Sequence, residues 1–470
     1  MTAWLAARTA PMPRVLWIEL SSRCPFDCVF CTRASLRGAG EQLDFALYER
    51  VLGELDKPAI VRLNYAGESG HYPRLAEAVA LAAASGAQVE LVSALASLKP
   101  ARLQAALEAG LARLTVSLHT LDPQRFDAIY RYSSLDAMRA RLRQVLDWRA
   151  RSPRPFVLDL AFVAMARNLD ELPAIAAFAA AHAVPVLAVH PLIGRDPLPL
   201  GVAVEHAAGG GLSADFRAAL ETGMAQARAA APVVDLQLSS HELAAPGELA
   251  AHALPWPWPL PPGAAIAGCD QDPFESVHIL ADGRVVACEV TERVVLGDLR
   301  HTSLRAIWQG AAYQAFRAAH ATATSAACRH CVYKRAYRPA PAASQVRAVD
   351  APAQQWLRGW HPADDGGLRW SAAAAALGLH GAGQRRLRLR GVLAPAPAHA
   401  RFEIGFDGAA LHAQPVRGGA AIDLELALPR AARGDSVLEL RCPQATSPQA
   451  LGLGADVREL GFGLISAELR

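Results

Sequence analysis

The sequence predicts an α/β chain: a parallel sheet of six βα units, then a small α+β domain, then an all-β domain. Three observations predict it. Between residue 14 and about 200, short β-branched runs alternate with helical stretches of roughly ten residues or more, the pattern of βα units. A hairpin signal and four cysteines fall within 264–337. From 353 onward, apolar residues recur at every second position between turn residues. A length of 470 residues suits about three domains of ~100–200 residues. The expected boundaries are 1–200 for the sheet, 201–263 for an irregular connection, 264–337 for the small domain, 338–352 for a linker and 353–470 for a β-sandwich.

Within the first domain, strands are expected at 14–20, 60–65, 89–93, 113–119, 156–165 and 184–189. Helices are expected at 44–55, capped by Asp44, and at 75–84, 100–109, 136–150 and 170–182. The connection holds Gly209-Gly210-Gly211, a helical stretch at 215–230 and the run Pro255-Trp256-Pro257-Trp258-Pro259. Proline at that density fits neither helix nor sheet. In the small domain, 276–280, a turn at Ala281-Asp282-Gly283 and 284–287 read as a hairpin. A helix with Ile307, Trp308, Tyr313 and Phe316 follows. In the last domain Leu387 and Leu389 alternate with arginines, and Leu424, Leu426 and Leu428 with acids. Cys442 is in phase with Leu438 and Leu440, so it reads as core.

Composition narrows the function. A formal net charge of +3 is too small to argue for nucleic acid or an acidic membrane surface. No apolar run is long enough to span a bilayer, and the N-terminal residues lack a secretory signal. A cytoplasmic location is therefore expected, where disulfides are disfavoured.

The chemistry is carried by Cys24, Cys28 and Cys31, a C-x3-C-x2-C run after the first strand. Three thiolates on one loop can hold three irons of a four-iron, four-sulfur cluster and leave the fourth iron open to a small molecule. Structural zinc wants four ligands, and no fourth Cys or His lies nearby. With Phe30 directly before the last cysteine, residues 14–200 resemble the radical SAM superfamily. The resemblance implies an open (β/α)6 barrel, S-adenosylmethionine (SAM) bound to the cluster, and Phe30 packed near the adenine.

Strand C-terminal ends are where ligands sit in parallel α/β sheets. Ala66-Gly67-Glu68-Ser69 resembles the family's Gly-Gly-Glu-type motif, with Ala for the first Gly. By that resemblance Gly67 admits the ligand and Glu68 pairs with the SAM amino group. Ser93, Ser117 and His119 end the third and fourth strands and are further SAM-site candidates. A lone polar residue at a strand end is commonly a satisfied structural group, and the same holds for His71, His119, His190 and Asp159, the candidate bases.

Cys269, Cys288, Cys328 and Cys331 form a second set. Four cysteines suit tetrahedral zinc, but zinc ribbons commonly use two close pairs. The order of hairpin, helix and C-x2-C resembles the twitch and SPASM domains, which implies an auxiliary four-iron, four-sulfur cluster. Four protein ligands would close that cluster to substrate and make it an electron relay or acceptor. This resembles the radical SAM alcohol dehydrogenases of aminoglycoside biosynthesis. Gly359-Trp360-His361-Pro362, Arg369-Trp370 and 456–461 resemble a C-terminal module of enzymes linked to bacterial surface polysaccharides.

The expected function is a radical SAM oxidoreductase with two clusters, dehydrogenating a small, sugar-like molecule and drawing electrons from a flavodoxin or ferredoxin. An epimerase is weakened because no cysteine remains as a hydrogen donor once Cys442 is placed in a core. A peptide maturase is the other alternative, disfavoured because no leader-recognition domain precedes the barrel and the cysteines are too few for two auxiliary clusters. A non-catalytic metal- or carbohydrate-binding protein is the reading from another class, and the intact first triplet speaks against it.

Overall fold

The computed structural model describes residues 10, 12–33, 37–55, 58–131, 133–192, 213–238, 253–254, 260, 264–269, 271–289, 294–321, 323–331, 334–337, 342–350, 355–364, 366–396, 400–454, 456 and 458–470. These fall into two compact units, Pro11–Ala244 with Leu254–Ala336, and Tyr337–Arg470. The Gly209–Gly211 and Pro255–Pro259 expectations lie outside the described residues.

The first unit is built on one sheet. Its strands β1 (Val15–Ile18), β2 (Ile60–Arg62), β3 (Gln88–Ser93), β4 (Leu111–Ser117), β5 (Val157–Ala164) and β6 (Val186–Pro191) pair in parallel in that order. All six are the strands the sequence led us to expect, joined by helices α1 (Phe45–Gly53), α2 (Leu75–Ala84), α3 (Pro100–Glu108), α4 (Pro123–Tyr130), α5 (Leu135–Arg151) and α6 (Leu172–Ala181). Asp44 caps α1 by accepting from the Leu47 N–H. Helix α4 was missed, although Asp122 before Pro123 is a start signal and its side chain caps Arg125.

The sheet is wider than six strands. After α7 (Ala214–Ala230), strand β7 (Asp235–Leu238) adds beside β6. At the other edge, β10 (Ser276–Ile279) pairs in parallel with β1 and continues through β11 (Arg284–Val286) to β12 (Val295–Asp298). The expected hairpin is therefore present, but it is also part of the barrel sheet. Strands β8 (Ala253–Leu254), β9 (Ala265–Cys269) and β13 (Lys334–Tyr337) form a separate three-stranded sheet.

Each parallel strand has one apolar face under the helices: Leu16, Ile18, Val61, Val89, Leu91, Leu114, Val116, Leu158, Leu160, Leu187 and Val189 are fully buried. The other face carries charge. Arg62 meets Glu90 at 2.7 Å, Arg113 meets Glu90 at 3.6 Å, and Arg113 also pairs with Asp159. His278 of β10 is fully buried on this face, stacked on Trp17 at 5.6 Å, and neither ring nitrogen has a hydrogen-bond partner among the described residues.

His278 makes the fold acid-sensitive. Burial, helped by Arg62, pushes its pKa from 6.5 down to about 3. Between those values the unfolded chain binds the proton and the folded chain does not. Stability is therefore undiminished above about pH 6.5 and falls as pH drops toward 3, by up to about 1.4 kcal/mol per pH unit. His278→Phe should melt higher at pH 5 and lose less on going from pH 7 to pH 5; an equal loss in both proteins would refute this.

The second unit is all antiparallel. Strands β14 (Gln345–Arg347), β15 (Trp356–Ala363), β16 (Arg369–Leu393), β17 (Arg401–Phe406), β18 (Ala409–Pro415), β19 (Ala421–Arg441) and β20 (Phe462–Leu469) form one seven-stranded sheet. The sequence led us to expect an all-β sandwich, and the unit is all-β. Its β16 and β19 are long strands that pair along their length, with register shifts near Ala382 and Gln384. Leu377 and Leu379 from one half of β16 share a core with Leu387 and Leu389 from the other, so the sheet wraps round its own core. Cys442 belongs to that core.

Candidate active site

The cysteine loop leaves β1 and is clamped against the end of α4. Val29 N–H donates to the Ile129 carbonyl at 3.0 Å, Arg131 pairs with Asp27 at 2.8 Å, and Phe26 packs edge-on to Tyr130. Cys31 N–H donates to the Cys28 carbonyl at 3.0 Å, closing the turn between the last two cysteines. The far side of the loop is tied by fully buried Glu19, which accepts from Arg37, the Ala66 N–H and the Ala281 N–H. Sequence reasoning missed Glu19; a carboxylate inside an apolar strand was its only signal.

The three thiols face one another electrostatically. Burial pushes Cys24 up to about 12, with Glu68 and Cys31 adding to it and Arg33 opposing. Burial also pushes Cys28 far above the usual thiol range, with Cys31 and Cys24 as further causes. Among the described residues, no three His, Cys, Asp or Glu side chains are arranged for a single metal ion. Three coupled thiols beside Arg33 suit a cluster, because iron supplies the positive charge that buried thiolates lack.

Gly67 and Glu68 dock onto the start of this loop. A Cβ at Gly67 would lie 2.0 Å from the Ser21 carbonyl oxygen and 2.6 Å from Ser22 Cα, so glycine is needed for contact with the chain itself. The described contact at Gly67 is with the backbone of Ser21 and Ser22. Glu68 N–H donates to the Arg23 carbonyl. The Glu68 carboxylate accepts from Ser93 Oγ, the Ala94 N–H and the Gly70 N–H. Burial raises its pKa to about 7 against those three donors. Glu68 and Ser93 thus form one unit.

His119 lies under Phe30, edge to face at 4.8 Å, and stacks on Tyr130 at 5.2 Å. Its Nδ1 accepts from the Val163 N–H, and Val163 is the register partner of His190. Burial and the neighbouring His190 hold His119 down at about 3, and burial holds His190 at about 4, so both imidazoles are neutral near pH 7. Ser117 accepts from Tyr130 Oη through its carbonyl. Phe30 and His119 therefore meet beyond the C-terminal end of β4, which Ser117 closes, and His190 lies near the corresponding end of β6. His71 sits apart, bonded through Nε2 to Ser97 Oγ at 2.9 Å, and Asp159 is held by Arg113 within the charged face.

The second cysteine set lies on three segments of the first unit. Cys269 ends β9, Cys288 follows β11, and Cys328 and Cys331 bracket the end of α8 (Ala326–His330), a short helix capped by Ser325. Burial raises Cys269, and its thiol is coupled to Cys331 and Cys288. Lys334, which the sequence reading did not single out, couples to Cys331 and Cys328.

Comparison with known proteins agrees with this geometry. Residues 18–147 match the radical SAM superfamily, and residues 269–332 match SPASM, an iron–sulfur cluster-binding domain. The PqqA peptide cyclase of Ruegeria pomeroyi is 28% identical over 331 residues, 69% of this chain and 80% of that protein. GTP 3',8-cyclase 1 of Pseudomonas aeruginosa is 29% identical over 212 residues, 43% of this chain and 59% of that protein. SuiB of Streptococcus suis, solved with precursor peptide SuiA, shares the fold: its TM-score is 0.52 at 12% identity, covering 69% of this chain and 72% of that one. Its SAM-bound structure gives 0.51 at 14% identity, covering 66% and 69%. SAM and iron–sulfur clusters are the cofactors these two domains imply, and the coupled thiols fit them. This chain thus carries a radical SAM domain followed by an iron–sulfur cluster-binding SPASM domain.

Proposed function

We propose that this enzyme modifies a peptide by removing hydrogen from it, with the SPASM cluster taking up an electron. The observation that carries the peptide reading is the relationship to the PqqA peptide cyclase, which spans 80% of that protein and 331 residues of this one. It replaces the sugar-like substrate drawn from the C-terminal domain. A nucleotide substrate is the second reading, favoured by the GTP cyclase relative over a shorter 212 residues.

Cys24, Cys28 and Cys31 are assigned to the first cluster, and Cys269, Cys288, Cys328 and Cys331 to the second. A cluster held by Cys24, Cys28 and Cys31 would supply the electron for reductive cleavage of SAM. We assign Phe30, which lies against His119, to pack against SAM, and the Glu68–Ser93 unit to hold its polar end. His119 and His190 are neutral imidazoles near the ends of β4 and β6, and we assign them to proton handling. Asp159 and His71 are committed to Arg113 and Ser97 and are assigned structural roles. An electron donor of flavodoxin or ferredoxin type is the expected partner. Among the described residues no helix is long and apolar enough to cross a membrane.

The test offers the reduced enzyme, with SAM, a deuterated peptide encoded beside its gene, deuterated GTP, or a deuterated nucleotide sugar. Deuterium is expected to pass from the peptide into 5'-deoxyadenosine. Transfer from GTP or the sugar with none from the peptide overturns the reading.

A further inference from the structure

One buried carboxylate joins three segments that lie far apart in the chain. Glu19 directly follows β1 and is fully buried. Its Oε1 accepts from the Ala66 N–H at 3.2 Å. Its Oε2 accepts from the Ala281 N–H at 3.1 Å and from Arg37 Nε at 3.2 Å. Arg37 lies on the segment that follows the cysteine loop, and Ala66 opens the Ala66-Gly67-Glu68-Ser69 turn. Ala281 belongs to the turn between β10 and β11, 262 residues from Glu19. The Glu19 main chain is tied to the same hairpin, because its N–H donates to the Ile279 carbonyl at 2.9 Å. A carboxylate is costly to bury unless donors meet its oxygens, and here both oxygens are met.

These bonds bear on Glu68 through the backbone. The Ala66 N–H is held by Glu19, and the Glu68 N–H is held by the Arg23 carbonyl at 3.0 Å. Between them, Gly67 lies against Ser21 and Ser22. The turn fixed in this way presents the Glu68 carboxylate to Ser93 Oγ at 3.1 Å and to the Ala94 N–H at 3.2 Å. The two backbone supports differ in origin. Arg23 belongs to the cysteine loop itself, whereas the Glu19 carboxylate is shared with the SPASM hairpin. A binding group keeps its geometry only as well as the residues behind it are held.

We propose that Glu19 is a positioning residue that sets the Ala66–Glu68 turn from the SPASM hairpin, so that the affinity of the first site for SAM depends on the main chain of Ala281. The inference rests on the proposed assignment of Glu68 to SAM. The hairpin thereby serves the first site through its backbone, apart from any cluster that its cysteines hold. Glu19 itself touches neither SAM nor substrate in this role; it acts through Ala66.

The test uses the full chain, reconstituted with iron and sulfide without oxygen, and reads its dissociation constant for SAM by equilibrium dialysis. Glu19→Gln keeps the length of the side chain but has one acceptor oxygen in place of two, and Ala281→Pro removes the N–H that Glu19 receives. Each should weaken SAM binding roughly tenfold at full iron content, within the loss of about 100-fold that a 1 Å misplacement can cause. Ala281→Gly keeps the N–H and should bind SAM as the parent does. The double variant should bind no more weakly than the weaker single one, because both changes cut one link. Multiplied effects, or an unchanged constant in either single variant, overturn the proposal. Loss of iron in Glu19→Gln places its role at Arg37 and the cysteine loop, and also overturns it. Should Ala281→Pro not fold, hydrogen exchange on Glu19→Gln decides. Faster exchange is expected in both 65–69 and 280–283, and a change in only one of these segments, or in neither, refutes the link. Unchanged SAM binding in Glu68→Ala instead overturns the assignment of Glu68 beneath it.

Discussion

Cys28→Ala should abolish formation of 5'-deoxyadenosine from SAM, cutting the rate more than about 100-fold, while the SPASM cluster stays in place. Partners outside the first ligand shell already cost about 10–100-fold when removed, and Cys28 is assigned as a direct ligand. It is also the middle of the loop: its carbonyl accepts from Cys31 N–H, and the Val29 N–H beside it anchors the loop to Ile129. Alanine keeps these backbone bonds, so the loop should persist without its thiol. Iron should fall by about half, because one of two clusters is lost, and liquid chromatography should find no 5'-deoxyadenosine in reduced protein. Cleavage retained at the wild-type rate would remove the first cluster from this loop.

Gly67→Ala should be nearly as damaging, without touching a cysteine. The added methyl would meet the Ser21 carbonyl at 2.0 Å and Ser22 backbone atoms at 2.6 and 2.7 Å. These are main-chain atoms at the end of β1 and cannot turn aside as a side chain can. Overpacking of this kind costs about 1–3 kcal/mol. The movement that relieves it displaces the strand leading into Cys24 and the Glu68–Arg23 bond beside it. The first cluster should therefore be lost or labile, and the melting temperature should drop by several degrees. Iron analysis with a thermal melt checks both; a Gly67→Ala protein with full iron and unchanged melting would show that the loop can yield.

Much of the first site was legible because it is local. Cys24, Cys28 and Cys31 lie within eight residues, Phe30 lies among them, strand ends place Ser93 and His119, and the resemblance of Ala66-Gly67-Glu68-Ser69 to the family's motif places Glu68. Asp159 and His71 could not be judged that way. Whether the Asp159 carboxylate within β5 is free or paired depends on Arg113, which lies 46 residues away in sequence. Tyr130 was missed because α4 was missed, although it stacks on His119 and holds the Ser117 carbonyl.

The sequence by itself determined the six parallel strands, the helices between them except α4, the cluster loop and the hairpin of the second cysteine set. Each depends on periods of two and 3.6 residues, caps and turns, which are short-range properties of the chain. Only the tertiary structure decided that β10 pairs with β1 and makes the SPASM hairpin part of the barrel sheet, with Glu19 bonded to both. It also decided that the C-terminal strands form one wrapped sheet, that Gly67 serves the backbone of Ser21, and that Lys334 is buried against the C-x2-C pair. The physical reason is common to all four: contacts between distant segments depend on which surfaces meet, and neither period nor composition carries that information.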